Sequence, residues 1–125
     1  MIEQNNTNTI PEKEETYTLL TELQNSSDST QRDLSRKLNV SLGKVNYLLK
    51  ELMKRGFISV KSFSSNPQKI KKVRYFLTQK GFNARVDLLH YFLKKKETEY
   101  QQLKSELEDL HTNGHLSEEK DEALR

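Results

Sequence analysis

The chain has 125 residues, 33% hydrophobic and 31% charged, which allows one modest hydrophobic core rather than a large catalytic cleft. It contains no cysteine, so disulfides, thiolate nucleophiles and cysteine-ligated metal centres are excluded. No apolar run approaches the roughly 20 residues that span a bilayer, and the polar start, Met1 to Pro11, is unlike a signal peptide. We therefore expect a soluble, intracellular protein with no bound metal and no cofactor.

Positive charge is concentrated in the middle of the chain. The formal net charge is only +3, yet thirteen of the 21 Lys and Arg residues lie between Thr30 and Lys80, where the acids are Asp33 and Glu51. An evenly solvated surface would spread these charges. A strongly basic segment inside a nearly neutral protein is the electrostatic footprint of a polyanion binder.

Three helices are predicted in the first half. Residues 1–11 are polar and are expected to form a disordered arm. Apolar residues at three-residue steps predict a helix from Glu12 to Gln24, and a short helix, Gln31 to Leu38, follows a polar break. Ser41 is expected to cap a third helix, which Gly56 ends. Two helices joined by a tight turn at Asn39 and Val40 are typical of a helix-turn-helix.

The third helix has an apolar stripe, predicted to be buried, made by Leu42, Val45, Leu49 and Leu52. Its opposite face carries polar and basic side chains that can reach base edges in a major groove, and its first amides favour a phosphate. An ordinary solvated face is the alternative. The candidate DNA contacts on this helix and the one before it are Gln31, Arg32, Ser41, Gly43, Lys44, Asn46, Tyr47, Lys50 and Lys54.

A basic hairpin is predicted next. Strands Phe57–Phe63 and Ile70–Leu77 flank a turn at Ser64–Pro67, and a hairpin after a helix-turn-helix is a wing. The wing cations, predicted to contact phosphates or the minor groove, are Lys69, Lys71, Lys72 and Arg74. They can equally protect an edge strand from aggregation.

A long helix completes the chain. Thr78 caps it and it runs to about Thr112, roughly 50 Å at 1.5 Å per residue. Its apolar residues alternate in steps of four and three, a heptad pattern broken at Lys96. A domain this small cannot cover the whole stripe, so we expect a second copy to do so, in parallel or antiparallel orientation. The predicted dimerisation residues are Phe82, Val86, Leu89, Leu93, Tyr100, Leu103, Leu107 and Leu110.

The predicted fold class is therefore mainly α: a winged helix-turn-helix, with three helices plus a β-hairpin wing, followed by a long C-terminal coiled-coil helix. The DNA-binding domain is expected at 12–80, the dimerisation helix at 81–112 and a flexible acidic tail at 113–125. The aromatic residues placed in the core are Tyr17, Tyr75, Phe76, Phe82 and Phe92.

An enzyme is not expected. The sequence has no glycine-rich phosphate loop and no Ser/His/Asp arrangement, and its acids cluster in segments predicted to be solvated. No catalytic residue is therefore assigned. Two non-enzymatic alternatives to a specific DNA-binding regulator stay open: a protein–protein adaptor that uses a winged helix and a coiled coil, and a non-specific architectural DNA binder.

Three strings of the sequence carry a family resemblance: QRDLS at Gln31–Ser35, VSLGKVNY at Val40–Tyr47 and LTQKG at Leu77–Gly81. They resemble the MarR superfamily of winged helix regulators, and more narrowly its small branch of EPS-associated MarR-family transcriptional regulators, over roughly residues 15–110. The resemblance implies a homodimeric bacterial regulator that binds double-stranded DNA in the cytoplasm, on the nucleoid, and is encoded near exopolysaccharide or surface-polysaccharide genes. It identifies no small-molecule effector and no membrane partner.

Overall fold

The computed structural model describes residues 9–63 and 72–113. In chain order the elements are α1 (Lys13–Asn25), α2 (Gln31–Leu38), α3 (Leu42–Lys54), β1 (Ile58–Phe63), β2 (Lys72–Leu77) and α4 (Gln79–Thr112). This is the mainly helical winged helix-turn-helix with a long last helix that the sequence predicts, and α2 has the predicted bounds.

The core lies where the first three helices meet. Helix α2 packs on α1 and α3, α1 also contacts β2, and α3 contacts β1. Leucines make up most of this core, and each helix contributes them from one apolar stripe. The fully buried ones in α1–α3 are Leu19, Leu20, Leu34, Leu48, Leu49 and Leu52.

Both helices of the helix-turn-helix begin at side-chain caps. The Thr30 side chain accepts a hydrogen bond from the Asp33 amide, and the Asp33 carboxylate accepts one from the Thr30 amide, which completes a capping box. The bond from the Thr30 backbone, followed by one from Arg36, lowers the pKa of Asp33. The Ser41 side chain caps α3 by accepting a hydrogen bond from the Lys44 amide, and Asn39, at φ 55°, makes the left-handed turn between the helices.

The wing is a two-stranded antiparallel hairpin. Its register places Ile58 opposite Leu77 and Lys61 opposite Arg74. Phe57, Ile58 and Tyr75 are buried against the helices, whereas Val60 and Val73 are 45% exposed. Ile58 and Val60 share a face with Tyr75 and Val73, so burial on that face decreases from the base of the hairpin towards its tip.

A close backbone contact joins the hairpin to α4. The Thr78 hydroxyl donates to the carbonyl of Gly56 at 2.6 Å and accepts from the Gly81 amide at 3.0 Å. Gly81 lies so near the Phe57 carbonyl that a Cβ there would be 2.1 Å from its oxygen. The LTQKG string thus has a structural cause, because threonine caps the helix and only glycine fits its third position.

The contacts divide the chain into two compact units, and α4 contributes to both. The first unit, unit 1, runs to Leu89 and contains the winged helix together with the start of α4, where Gly81, Ala84 and Leu88 are buried. The second, unit 2, begins at His90 and contains the rest of α4. Within unit 2, Tyr91 and Phe92 make an edge-to-face ring contact with centroids 5.2 Å apart.

Two residues predicted to be buried are exposed. Leu42 is 45% exposed because it is the first residue of α3, and helical side chains tilt towards the N-terminus, here past the end of the packed region. Phe82 is 38% exposed because the packed side of α4 runs through its neighbours Gly81 and Ala84. Of the other aromatic residues placed in the core, Tyr75 is buried, whereas Tyr17, Phe76 and Phe92 are half-buried.

Candidate nucleic-acid interface

The outer face of α3, defined here as Gly43, Asn46, Tyr47, Lys50 and Lys54, is exposed along its whole length. It is presented to solvent because Val45, Leu49 and Leu52, on the opposite side of α3, are fully buried. The Tyr47 ring is 49% exposed. Within residues 9–63 and 72–113, the side chains of Asn46, Tyr47 and Lys50 form no hydrogen bond or ion pair. Three polar side chains on one helix face are thus available to a ligand.

The first turn of α3 leaves room for a close approach to the backbone. The Ser41 hydroxyl accepts from the Lys44 amide at 3.1 Å. At Gly43 an added Cβ would meet only the Ser41 Oγ, 4.0 Å away, so the fold itself does not require glycine there.

Lys44 is already paired within the chain. Its ammonium donates to the carboxylate of Glu12, at the start of α1, and this hydrogen bond raises the pKa of Lys44. The charges of Glu12 and Glu15 act in the same direction. Glu12 holds this position with a left-handed backbone, φ 48°, which is uncommon for a residue other than glycine.

The residues around the start of α2 differ in availability. Arg32 is exposed and its side chain has no partner in the described part of the chain. Gln31 is half-buried, and its amide donates to the Tyr75 hydroxyl of β2 at 3.0 Å. Gln31 therefore ties the helix-turn-helix to the wing, a contact between residues far apart in sequence.

The wing cations are described only in part. Arg74 is exposed and pairs with Asp28, in the loop before α2, at 3.1 Å. The backbone of Lys72 pairs with that of Phe63, while the Lys72 side chain, and Lys69 and Lys71 as a whole, lie outside the described residues. Lys54, on α3, pairs with Glu51 at 3.2 Å.

Sequence reasoning did not select Lys61, although it is an exposed wing cation. Its Cα is the cross-strand partner of Arg74, so the two side chains lie on the same face of the hairpin. Its ammonium lies 5.5 Å from the centroid of the Phe76 ring. The period-two alternation of Ile58, Val60 and Ser62 with the residues between them is the sequence signal that places Lys61 on that face.

The predicted dimerisation residues lie along α4. In unit 1, Leu89 is 46% exposed, Phe82 is 38% exposed and Val86 is half-buried. In unit 2, Leu93, Tyr100, Leu103, Leu107 and Leu110 are 56% to 66% exposed.

Comparisons with known proteins point to one fold. The family model of winged helix-turn-helix DNA-binding domains matches residues 16–59. No protein of curated function is significantly similar in sequence. No helix in the described part of the chain is long and apolar enough to cross a membrane.

Several solved structures are similar to the chain. The zinc-dependent MarR-family transcriptional regulator AdcR, Zn(II)-bound, shares 26% identity at a TM-score of 0.50, over 71% of this chain and 57% of its own length. A variant of Staphylococcus aureus MepR shares 21% at a TM-score of 0.58, over 89% and 79%. Lactococcus lactis ZitR in complex with DNA shares 22% at 0.50, over 89% and 74%. The chain thus spans a little over half the length of AdcR.

The zinc in the first of these structures is a property of that protein. In the described ranges 9–63 and 72–113, no three His, Asp or Glu side chains are grouped so that they could hold a metal ion. The residues that the structure describes therefore do not fit a zinc centre.

Proposed function

We propose that this chain, which belongs to the MarR superfamily of winged helix-turn-helix proteins, is a transcriptional regulator that binds double-stranded DNA sequence-specifically as a homodimer. The resemblance that the sequence carries is confirmed at the level of the superfamily. The narrower EPS-associated branch stays a prediction, and with it the control of exopolysaccharide or surface-polysaccharide genes.

The outer face of α3 carries this proposal. Asn46 and Tyr47 combine reach with hydrogen-bonding groups, and no partner within the described chain occupies them. A helix that projects such side chains can read base edges in the major groove, where each base pair presents a distinct pattern of donors and acceptors. Base reading by this face would supply the sequence specificity.

Phosphate contacts would supply orientation and much of the affinity. Lys50 and Arg32 are exposed cations without a partner in the described chain, and Lys61 and Arg74 share one face of the wing. The open backbone at Gly43 allows a phosphate to approach the first turn of α3. Lys69, Lys71 and Lys72 are proposed to extend the wing contacts, and Ser41, Lys44 and Lys54 to border those of α3.

Solved relatives support DNA as the partner. The ZitR structure is a complex with DNA, and a second MepR variant, 19% identical to this chain, is bound to an oligodeoxyribonucleotide. AdcR is a transcriptional regulator of the MarR family, and ZitR is a zinc-responsive member of that family. A regulator of bacterial genes would act in the cytoplasm, where the nucleoid is.

A homodimer is proposed because unit 2 leaves its large apolar side chains open to solvent. Tyr100, Leu103 and Leu110 are each at least 60% exposed. Contiguous apolar patches on soluble proteins mark interaction sites. Two copies would place two α3 helices on the half-sites of a pseudo-palindrome.

The test is selection of preferred duplexes by the purified chain from a random library, at two salt concentrations. A symmetric enriched site, with affinity that falls as salt rises, is the expected result. Salt-sensitive binding without enrichment would make the protein an architectural binder. Absence of binding to any duplex at low salt would overturn the proposal and favour an adaptor.

Variants separate the roles of the side chains on the selected site. Asn46→Ala or Tyr47→Ala should reduce discrimination against altered sites by roughly 1–3 kcal/mol per lost base contact. Lys50→Ala should weaken binding to all sequences alike and reduce the salt slope by about one. Tyr47→Phe separates the contribution of the Tyr47 hydroxyl from that of its ring. Lys95→Ala removes the same charge in unit 2 and is the control that should leave binding unchanged.

A further inference from the structure

The apolar stripe of unit 2 follows a heptad repeat without a slip. Leu93, Tyr100 and Leu107 occupy position a, while Leu103 and Leu110 occupy position d. In the described part of unit 2 no segment of this chain covers the stripe, since all five side chains are more than half exposed. The d position between Leu93 and Tyr100 is Lys96, which pairs with Glu99 of its own helix at 3.8 Å.

Charged residues flank this stripe in a pattern that depends on direction. Position g carries Glu99 and Glu106, and position e carries Lys104 and His111 after Glu97. All five belong to the described part of α4. The side chains of Lys104, Glu106 and His111 form no ion pair within the described chain, so they are available to a partner.

We propose that residues 90–112 pair with the same segment of a second copy as a parallel, in-register, two-stranded coiled coil. The inference rests on the homodimer of the proposed function and adds its direction and its register. In a parallel coil each g residue faces the e residue five positions later on the other helix. Glu99 then faces Lys104 of the partner subunit, and Glu106 faces the partner's His111. Symmetry makes each contact twice.

The antiparallel alternative is less favourable. With the same apolar layers it places Leu93 against Leu110 of the partner subunit, g residues face g residues, and e residues face e residues. Glu99 then lies opposite the partner's Glu106, which is repulsive, while Glu97 lies opposite the partner's Lys104, which is attractive. The two kinds of contact oppose each other, whereas every flanking charge pair in the parallel coil is between opposite charges or a glutamate and a histidine.

Lys96 is consistent with parallel, in-register pairing. In that arrangement the two Lys96 residues share one layer, where their long stems can pack and their ammonium groups reach solvent and Glu99. A register shift of one heptad in the parallel coil, or the antiparallel pair described above, would put the amine against a leucine. A single polar residue in an apolar seam fixes register in this way, at a cost in stability.

Disulfide trapping tests the direction, because the native chain has no cysteine. Leu93→Cys and Leu110→Cys are prepared as separate full-length variants, oxidised alone and after unfolding and refolding as a mixture, and analysed by non-reducing gels and peptide mass. Each variant alone should cross-link to itself, and the mixture should contain no disulfide between position 93 of one chain and position 110 of the other. Cross-links that form only in the mixture would overturn the parallel coil while the dimer stands. Gln102→Cys, on the outside of the helix, is the control for chance collisions.

Charge reversal tests the pairing, with the dimer dissociation constant measured by analytical ultracentrifugation. Lys104→Glu should weaken the dimer roughly 2- to 30-fold, because two symmetric exposed pairs are lost. The double variant, Lys104→Glu with Glu99→Lys, should restore the dissociation constant of the native dimer. Glu97→Lys is the matched control and should change nothing, whereas weakening by Glu97→Lys would point to the antiparallel coil and overturn the proposal.

These readouts need no DNA, so the two ideas fail separately. A monomeric or trimeric native chain in the ultracentrifuge would overturn the coiled coil, and with it the homodimer, while DNA binding by unit 1 is judged by the selection experiment. A dimer that selects a DNA site but cross-links only in the mixture would leave the proposed function standing.

Discussion

Replacement of Gly81 by alanine tests how the wing is fastened to α4. Gly81 lies in the first turn of that helix, against the peptide carbonyl of Phe57. A Cβ at this position would be 2.1 Å from the carbonyl oxygen and 2.7 Å from Leu77 Cδ1. The carbonyl cannot move freely, because it accepts the backbone hydrogen bond of Thr78 at 3.1 Å.

The size of the effect follows from three contributions. Overpacking against an ordered backbone costs about 1–3 kcal/mol, and loss of the Thr78 bond to Phe57 costs about 1 kcal/mol. Alanine is intrinsically better than glycine inside a helix by about 1 kcal/mol, which acts in the opposite direction. Gly81→Ala should therefore reduce the free energy of unfolding by roughly 1–3 kcal/mol.

Urea denaturation followed by circular dichroism measures this change, and Gly43→Ala is its matched control. At Gly43 an added Cβ has only one neighbour, at 4.0 Å, so alanine should leave stability unchanged or raise it by up to about 1 kcal/mol. The same control should weaken DNA binding if the backbone at Gly43 approaches a phosphate. A Gly81→Ala protein as stable as the native chain would refute the close contact and the explanation of the LTQKG string.

Three further changes probe the caps and the ion pairs. Glu12→Gln should free Lys44 for a phosphate and make the slope of log affinity against log salt steeper by about one. Glu14→Gln, which removes an exposed acid in the first turn of α1, is the control and should leave the slope unchanged. An unchanged slope in Glu12→Gln would show that Lys44 does not reach DNA. Asp33→Asn should destabilise the chain at neutral pH. The pKa of Asp33 is lowered in the folded chain, so the carboxylate stabilises the fold at pH values above its ordinary pKa of 3.8. This stabilisation is lost as the pH falls through the lower pKa of the folded state. The free energies of unfolding of the variant and the native chain should therefore differ at pH 7 but not at about pH 2. Thr30→Ala removes the other half of the capping box and should cost about 1 kcal/mol at both.

The helix-turn-helix could be predicted closely because its limits are set by local chemistry. Thr30 and Ser41 cap the helices that follow them, and Gly56, at φ 79°, ends α3 in a conformation that glycine adopts readily. Each of these interactions spans only a few residues, so the sequence pattern contains all that determines it.

The buried side of α4 was predicted less well, because a pattern of large apolar side chains takes no account of glycine and alanine. Phe82, Val86 and Leu89 form a regular stripe, yet the packed side of the helix in unit 1 is Gly81, Ala84 and Leu88, one residue earlier. Close packing of a helix on a backbone selects residues without large side chains. Glycine and alanine, which the heptad pattern leaves out, mark that side.

The partners that the candidate DNA contacts have within the chain also could not be predicted from the sequence. Lys44 meets Glu12, Arg74 meets Asp28 and Gln31 meets Tyr75, each across a long separation in sequence. Only the packing of α1, α2 and β2 brings these partners together, and no periodic pattern encodes it. The sequence therefore predicts which side chains face outwards on α3 but not which of them already have a partner.

These internal pairs change what the basic segment implies about DNA binding. A cation that leaves a carboxylate for a phosphate exchanges one ion pair for another, so its contribution to the salt slope is smaller than that of a free cation. Lys44, Lys54 and Arg74 are paired in this way, whereas Arg32 and Lys50 have no partner in the described chain. Exposed pairs are worth only about 0.2–1 kcal/mol, so phosphates can still displace the carboxylates at little cost. The measured salt slope should therefore be smaller than the number of basic residues in the segment. The acids Glu12, Asp28 and Glu51 would reduce non-specific attraction to phosphates and leave base reading by α3 intact.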